Sequence, residues 1–263
     1  MSPTIALLTD FGLRDWYVGT MKGVICQLCP KATIVDICHA VEPRNIMEGA
    51  LMLYAAHSYF PRGTVFVAVV DPGVGTSRAP VVIRSRGCYF IGPNNGLFSF
   101  IVGQDPKAQC RRLSDSRYWL PNPSATFHGR DIFAPSAAHI AGGVDWKKLA
   151  PDHESPVCLS LPRVAISSNA VSGIIIHFDH FGNAITNIAD SDIPADVKNV
   201  RAGGLNIGKL VHTFGDVAEG ASLACRGSAG FLEIAVRNRN AREKLGLKIG
   251  DKVTLEIARG RKK

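Results

Sequence analysis

The sequence predicts an α/β N-terminal domain, a mostly parallel sheet covered by helices, followed by a smaller all-β, barrel-like C-terminal domain. Three observations predict it. Continuous apolar strand runs alternate with helix-spaced segments from residue 4 to residue 70; Pro, Ser and Asn break the pattern over 151–169; and beyond that break the chain reads as short strands separated by turns. The domains are accordingly set at 1–162 and 171–263.

Thr4–Thr9 (TIALLT) is a short apolar run suited to a buried strand, followed by a turn at Asp10-Phe11-Gly12 and a helical stretch from about Asp15 to Cys29. Ala32–Cys38 is the next strand. Apolar positions Ile46, Ala50, Leu53, Tyr54 and Ala56 keep helical spacing within 45–60, and Gly63–Val70 is a clear apolar strand. Two further strands, Pro80–Arg84 and Cys88–Gly92, flank a turn at Arg86-Gly87, and Asn94-Asn95-Gly96 opens a helix. Arg130–Ala141 reads as a helix interrupted or started late at Pro135. After the linker come strand-like runs at Val171–Phe178, Ala184–Ile188, Ser222–Cys225, Phe231–Val236 and Lys252–Ile257.

Of 263 residues, 30 are Lys or Arg and 22 are Asp or Glu, a net charge of +8, but Arg259, Arg261, Lys262 and Lys263 hold four of the surplus charges in the last five positions. Up to residue 170 there are 16 basic and 12 acidic residues, and beyond it 14 and 10, so neither part looks built for a polyanion. No apolar run approaches the ~18–20 residues a bilayer span needs, and no basic segment precedes Ile5–Leu8 as in a leader. Seven scattered cysteines read as reduced thiols of a cytoplasmic protein. Cys26-Gln-Leu-Cys29 closes a predicted helix instead of opening one, which suits core packing better than redox chemistry, and no second pair exists to complete a zinc site.

In a parallel sheet the ligand crevice lies beyond the carboxyl ends of the strands. Three polar loops there begin with a carboxylate: Asp10–Asp15, Asp36–His39 and Asp71–Arg78. Carboxylates on one sheet edge favour a cationic or hydroxyl-rich ligand, and the Gly73/Gly75 loop lacks the residues of a phosphate cradle. A fourth island, Thr126–Asp131, places His128 in a loop before a helix, where a hydrogen-bonded structural role and a catalytic one are both open; Asp131 suits helix N-terminal chemistry. Asp179–Ile188 and Gly227–Gly230 each read as a hairpin between strands. Composition alone goes no further than two domains and a polar cleft.

Taken in order, these islands resemble the adenosine-forming S-adenosyl-L-methionine (SAM) hydrolases, or SAM hydroxide adenosyltransferases, relatives of the fluorinases and chlorinases. The matching pieces are LTDFGLRDWYVGTMKGVI (8–25), DICHAVEP (36–43), FPRGTVFVAVVDPGVGTSR (60–78), IGPNNGL (91–97), TFHGRDIFAPSAAHIA (126–141), FGNAITNI (181–188) and GSAGFLEIA (227–235). The resemblance implies a homotrimer with sites shared between the N-domain of one subunit and the C-domain of its neighbour. It implies cleavage of SAM at the ribose C5′ by water, yielding adenosine and L-methionine, with no cofactor or metal. Asp71, Arg78 and His128 match the set that marks the hydrolase branch. Carried over by position, Asp10 would hold the ribose hydroxyls, Asp15 and Ser228 the amino-acid group, and Asn183 the adenine edge. Phe127 and Phe181 would pack on the nucleoside, with Asp179 near the methionine end. Ala229 departs from the halogenating branch, which carries an Arg there, leaving a backbone N–H or Arg237 to meet the substrate carboxylate. A SAM-dependent halogenase and a non-catalytic SAM or adenosine sensor are the competing readings, the first disfavoured by the Asp71/Arg78/His128 set.

Overall fold

The computed structural model describes residues 2–160 and 162–257. The basic tail at 259–263 lies outside the described residues. The chain divides into two compact units, 1–159 and 160–263.

In the first unit β1 (Thr4–Thr9), α1 (Tyr17–Leu28), β2 (Thr33–Cys38), α2 (Ile46–His57) and β3 (Val65–Val69) follow the expected alternation. Then come β4 (Pro80–Ser85), β5 (Cys88–Pro93), α3 (Ser99–Gly103), β6 (Gln109–Arg112), α4 (Ala134–Ala141), α5 (Trp146–Leu149) and β7 (Asp152–His153). The seven strands lie in the order β2-β1-β3-β5-β4-β6-β7. The sheet is mixed where a mostly parallel one was expected. β2, β1, β3 and β5 run parallel, but β4, β6 and β7 pair antiparallel. The reason is local: Arg86 (φ 47°) and Gly87 (φ 85°) form a tight left-handed turn that folds β5 straight back on β4, leaving no room for a crossover.

Alternation along the strands sorts side chains into two apolar clusters. Ile5, Leu7, Val65 and Val67 pack with Met21 and Ile25 of α1 and Phe133 and Ala137. Ala6, Leu8, Phe66 and Ala68 pack with Ala50 and Leu53 of α2 and with Ile101. Each fully buried Leu, Ile or Phe contributes about 1.5–3 kcal/mol, so these clusters fix where the strands end and hence where the polar loops emerge. Asn45 caps α2 by accepting from Glu48 N (3.1 Å), while Cys29 and Pro30 end α1.

The second unit holds β8 (Ala165–Ile166), β9 (Ala170–Phe178), β10 (Ala184–Ala189), β11 (Val197–Ala202), β12 (Leu205–Gly208), β13 (Ser222–Arg226), β14 (Phe231–Val236), α6 (Ala241–Leu245) and β15 (Lys252–Ile257). Its strands are antiparallel in the order β12-β11-β15-β9-β10-β14-β13, with β8 on β9. The two ends of that path meet: Val211 N donates to Ala224 O (2.8 Å) and Ser222 Oγ to Ile207 O (3.3 Å), making the sheet nearly barrel-like around Val171, Ile175, Ile188, Leu232 and Leu255. Among the described residues no helix is long and apolar enough to cross a membrane.

Candidate active site

The loops after β1 and β3 emerge side by side because the two strands are parallel neighbours. After β3 the chain makes consecutive turns, Val74 N donating to Asp71 O (3.2 Å) and Thr76 N to Gly73 O (3.1 Å). Gly75 has φ 78°, and a Cβ there would stand 2.7 Å from Ala125 O. Glycine is therefore required twice over, by conformation and by contact, and it lets the 71–78 loop press against the 124–128 loop.

That contact assembles a triad of side chains. Arg78 donates from Nε to Asp71 Oδ1 (2.9 Å) and from Nη2 to Asp71 Oδ2 (2.5 Å), a bidentate pair with both side chains under a tenth exposed. The same Nη2 lies 2.7 Å from His128 Nδ1. A guanidinium has only donors, so Nδ1 accepts and the proton of neutral His128 sits on Nε2. Burial first, then the Arg78 charge, push the His128 pKa below the ordinary imidazole value, which keeps that neutral form at neutral pH. Arg78 Nη1 is buried and has no hydrogen-bond partner among the described residues, and Arg78 Cζ lies 5.5 Å from the centre of the Phe133 ring.

His128 precedes a wide turn, Gly129–Phe133, closed by Ala134 N donating to Gly129 O five residues back. Pro135 offers no N–H for a tighter ladder, so the helix proper starts late, at Ala134. Asp131, buried, accepts from Arg130 Nε (2.6 Å) and Nη2 (3.0 Å) and from Ser124 N (2.8 Å). It lies in the first turn of this helical segment, as expected, and also ties down the loop leading to His128.

A cavity of about 160 Å³ opens beside the triad, lined by Phe11, Tyr17, Val69, Asp71, Phe127 and His128. Phe127 stands edge-on to Phe11 (5.8 Å between centroids) and to Tyr17 (5.1 Å), so three rings wall the space. Asp10 is partly buried and accepts from Arg44 N (2.8 Å); burial raises its pKa, and the Asp71 charge adds to that. Arg44 holds this N–H in place from a left-handed φ of 69°. Asp15 is exposed. Asp36 turns away to Lys22 Nζ (2.6 Å).

The second unit carries a separate cavity of about 440 Å³ lined by Phe181, Asn183, Phe214, Val236, Asn238 and Asn240, with Arg239. Asp179 is spent on its own loop, Oδ1 accepting from Phe181 N (2.9 Å) and Asn183 N (2.8 Å), and Oδ2 from Asn183 Nδ2 (3.0 Å). That last bond fixes the Asn183 amide and leaves its Oδ1 as the acceptor. Ser228 is exposed, and Arg237 spends Nη1 on Val217 O (2.6 Å). The structure thus brings together Asp71, Arg78, His128 and Phe127 in one unit and Asp179, Phe181 and Asn183 in the other. Residue patterns missed Tyr17, Phe214, Asn238 and Asn240. Tyr17 was readable as an aromatic beside a polar loop, whereas Phe214 lies in a segment with no motif. Among the described residues no three His, Cys, Asp or Glu side chains gather as metal ligands.

Comparison with known proteins adds the family context. Residues 5–150 match the SAM hydroxide adenosyltransferase N-terminal domain, and residues 173–254 its C-terminal domain. An (R)-S-adenosyl-L-methionine hydrolase of Thermus thermophilus is 41% identical, covering 95% of this chain and 98% of its own length. A fluorinase of Nocardia brasiliensis is more distant, 29% identical with 97% of each chain covered. The crystal structure of an uncharacterized conserved protein from Thermotoga maritima superposes with a TM-score of 0.88 at 39% identity, covering 95% of this chain and 99% of that one.

Proposed function

The chain belongs to the SAM hydroxide adenosyltransferase family, and from that premise we propose that it hydrolyses SAM at the ribose C5′, giving adenosine and L-methionine. The observation that carries the chemistry is Arg78 bonded at once to Asp71 and His128. The oxygen of water attacks C5′ as the C5′–S bond breaks, its electron pair returning to sulfur. The leaving group is a neutral thioether, so no acid is needed for it. The demand falls on the water, which must be aimed along the S–C5′ axis and relieved of a proton during attack. With His128 Nδ1 occupied by Arg78, the lone pairs left to take that proton are on Asp71, and His128 Nε2–H is the donor that orients the water. Arg78 holds the Asp71 carboxylate in place, and Arg78 Nη1 is a further donor for a bound oxygen. A dry site strengthens these contacts as charge on the nucleophile and on sulfur is neutralised.

Binding follows the same division. Asp10 takes the ribose hydroxyls, Phe127 and Phe181 pack on the nucleoside, Asn183 Oδ1 accepts from the adenine amine, and Asp15 and Ser228 take the amino-acid end, with Asp179 setting the Asn183 amide. A cavity of about 160 Å³ falls below the ~300–1,000 Å³ of most small-molecule sites. That supports a site completed by a further surface, which we read as a neighbour's second unit, with its aromatic and amide-lined cavity, in a homotrimer. The second unit is read as a closed barrel and the first sheet as helix-covered. SAM is a substrate, so no cofactor is required, and the free cysteines suit the cytoplasm.

Product separation after incubation with SAM tests the reading. Adenosine plus methionine supports it, 5′-halo-adenosine with added halide would make the protein a halogenase, and unchanged SAM despite binding a sensor. Full turnover by Asp71→Ala and His128→Ala would overturn the mechanism.

A further inference from the structure

The Asp10–Gly12 loop, on which nucleoside binding is proposed to rest, is gripped from outside the cavity by one buried histidine. His39 follows β2, and its side chain is 3% exposed. Its carbonyl oxygen accepts from Gly12 N (2.7 Å), and its Nδ1 lies 2.9 Å from Oγ1 of Thr9, which is fully buried at the end of β1. Thr9 Oγ1 in turn accepts from Phe11 N (3.2 Å). On the other side, His39 Nε2 lies 3.0 Å from Asp36 Oδ1, too bent for a well-aligned hydrogen bond, and Asp36 Oδ2 is held by Lys22 Nζ.

The donors and acceptors order themselves in one consistent way. The Asp36 carboxylate beside Nε2 favours the imidazole proton there, which leaves Nδ1 to accept from the Thr9 hydroxyl, while a lone pair of Thr9 Oγ1 takes the Phe11 N–H. Thr9 is no nucleophile, since it is fully buried and used in this chain. His39 therefore holds the loop at both of its ends, through Thr9 at the start and through its own carbonyl at Gly12, while between them Phe11 lines the cavity and Asp10 accepts from Arg44 N.

We propose that His39 is a positioning residue of this enzyme: acting through Thr9, it sets the Asp10–Phe11 segment for the ribose and leaves the Asp71–Arg78–His128 chemistry untouched. The proposal rests on the nucleoside reading of Asp10 for its kinetic consequence only; its structural consequence stands on the free protein.

His39→Ala, His39→Asn and Thr9→Val separate the possibilities. Loss of a buried hydrogen bond here should raise KM for SAM and the adenosine Kd about 5–30-fold. The value of kcat should stay within about threefold, because the triad is intact. His39→Asn, whose amide oxygen can replace Nδ1 as acceptor, should recover most of the loss, which a merely space-filling role would not produce. Amide exchange at Phe11 and Gly12 should rise about tenfold or more in His39→Ala and Thr9→Val, with strand amides of β1 unchanged. Wild-type exchange at both amides, or a loss confined to kcat, would overturn the proposal. If the unaltered protein failed to cleave SAM, the functional reading would fall, while amide exchange would still decide the role of His39. If His39→Ala did not fold, His39→Phe, which fills the space without a ring nitrogen, would decide by the same measurements.

Discussion

Arg78 Nη2 lies 2.7 Å from His128 Nδ1, so the arginine that pairs with Asp71 also dictates which nitrogen of the histidine carries its proton. The arrangement fixes a direction of pH dependence. Burial and the Arg78 charge both disfavour imidazolium, and the weaker pull of Asp71 does not reverse them. His128 should therefore titrate below the ordinary value of about 6.5, and kcat/KM should fall only as pH drops through that lowered pKa. Arg78→Met removes the repulsion but keeps Asp71, so the imidazole pKa should move up. Titration of the His128 ring by NMR in both proteins reads the shift directly, and an unchanged value would show that Arg78 does not control the imidazole.

Asp71→Asn is expected to damage fold and activity together. The Arg78 side chain is 8% exposed, and neutralising its partner leaves a buried charge uncompensated, at a cost of about 3–5 kcal/mol. Loss of the proposed proton acceptor should lower kcat about 10²–10⁴-fold. Thermal unfolding and single-turnover assays below the new midpoint separate the two effects. Arg78→Lys, which keeps the charge but not the fork, should keep more stability than Asp71→Asn while losing roughly 10²-fold in rate.

Gly75→Ala tests how the triad is brought together. Its Cβ would press on Ala125 O in a left-handed backbone, whereas the same change at Gly63, also left-handed at φ 87°, meets nothing within 4 Å. Both should lose about 1 kcal/mol for conformation. Only Gly75→Ala should also weaken catalysis, because separating the two loops lengthens the Arg78–His128 contact. Equal kcat in the two variants would contradict this.

The legible part of the fold was the part whose burial is written in consecutive residues. Thr4–Thr9 and Val65–Val69 are continuous apolar runs because both faces of those strands are covered. Gln109–Arg112 is not legible in this way because it is a polar strand with only Cys110 buried. Val197–Ala202 and Leu205–Gly208 were also missed, although Gly203 (φ 56°) and Gly204 (φ 83°) form the kind of two-residue turn that marks a hairpin. At the site, residue types alone flagged Asp71 and His128 as polar loop residues. Their connection runs through Arg78, 50 positions before His128, and depends on the contact of Gly75 with Ala125, which no local pattern encodes.

Glu233 ties stability to pH in the second unit. Burial, with a smaller push from Asp179, raises its carboxyl to about 7. The folded protein thus holds a proton that the unfolded chain gives up near 4.5. The sign follows: the contribution is complete below the unfolded pKa and is lost as pH rises through the folded value. Glu233→Gln mimics the protonated form, so it should match the unaltered protein at about pH 4 and exceed it by about 1–3 kcal/mol at pH 8.5. Denaturant melts at the two pH values check this, and an equal difference at both would remove Glu233 as the cause.

The proposed sharing of the site between subunits makes the sharpest prediction about assembly. Consider one chain with Asp71→Ala and a second with Phe181→Ala and Asn183→Ala, each inactive alone. If every site lay within a single chain, mixing the two would restore nothing, because each chain would keep its own defect. If each site joins the first unit of one chain to the second unit of its neighbour, a mixed trimer contains some sites that are wholly intact and some that carry both defects. With equal amounts and random assembly, an intact first unit meets an intact second unit at about a quarter of the sites. Co-expressed chains should therefore regain about a quarter of the unaltered activity, and the gain should vanish when the same chains are purified apart and mixed without subunit exchange. Activity that stays at the level of the separate variants after co-expression, with mixed trimers shown by mass spectrometry, would place the whole site in one chain.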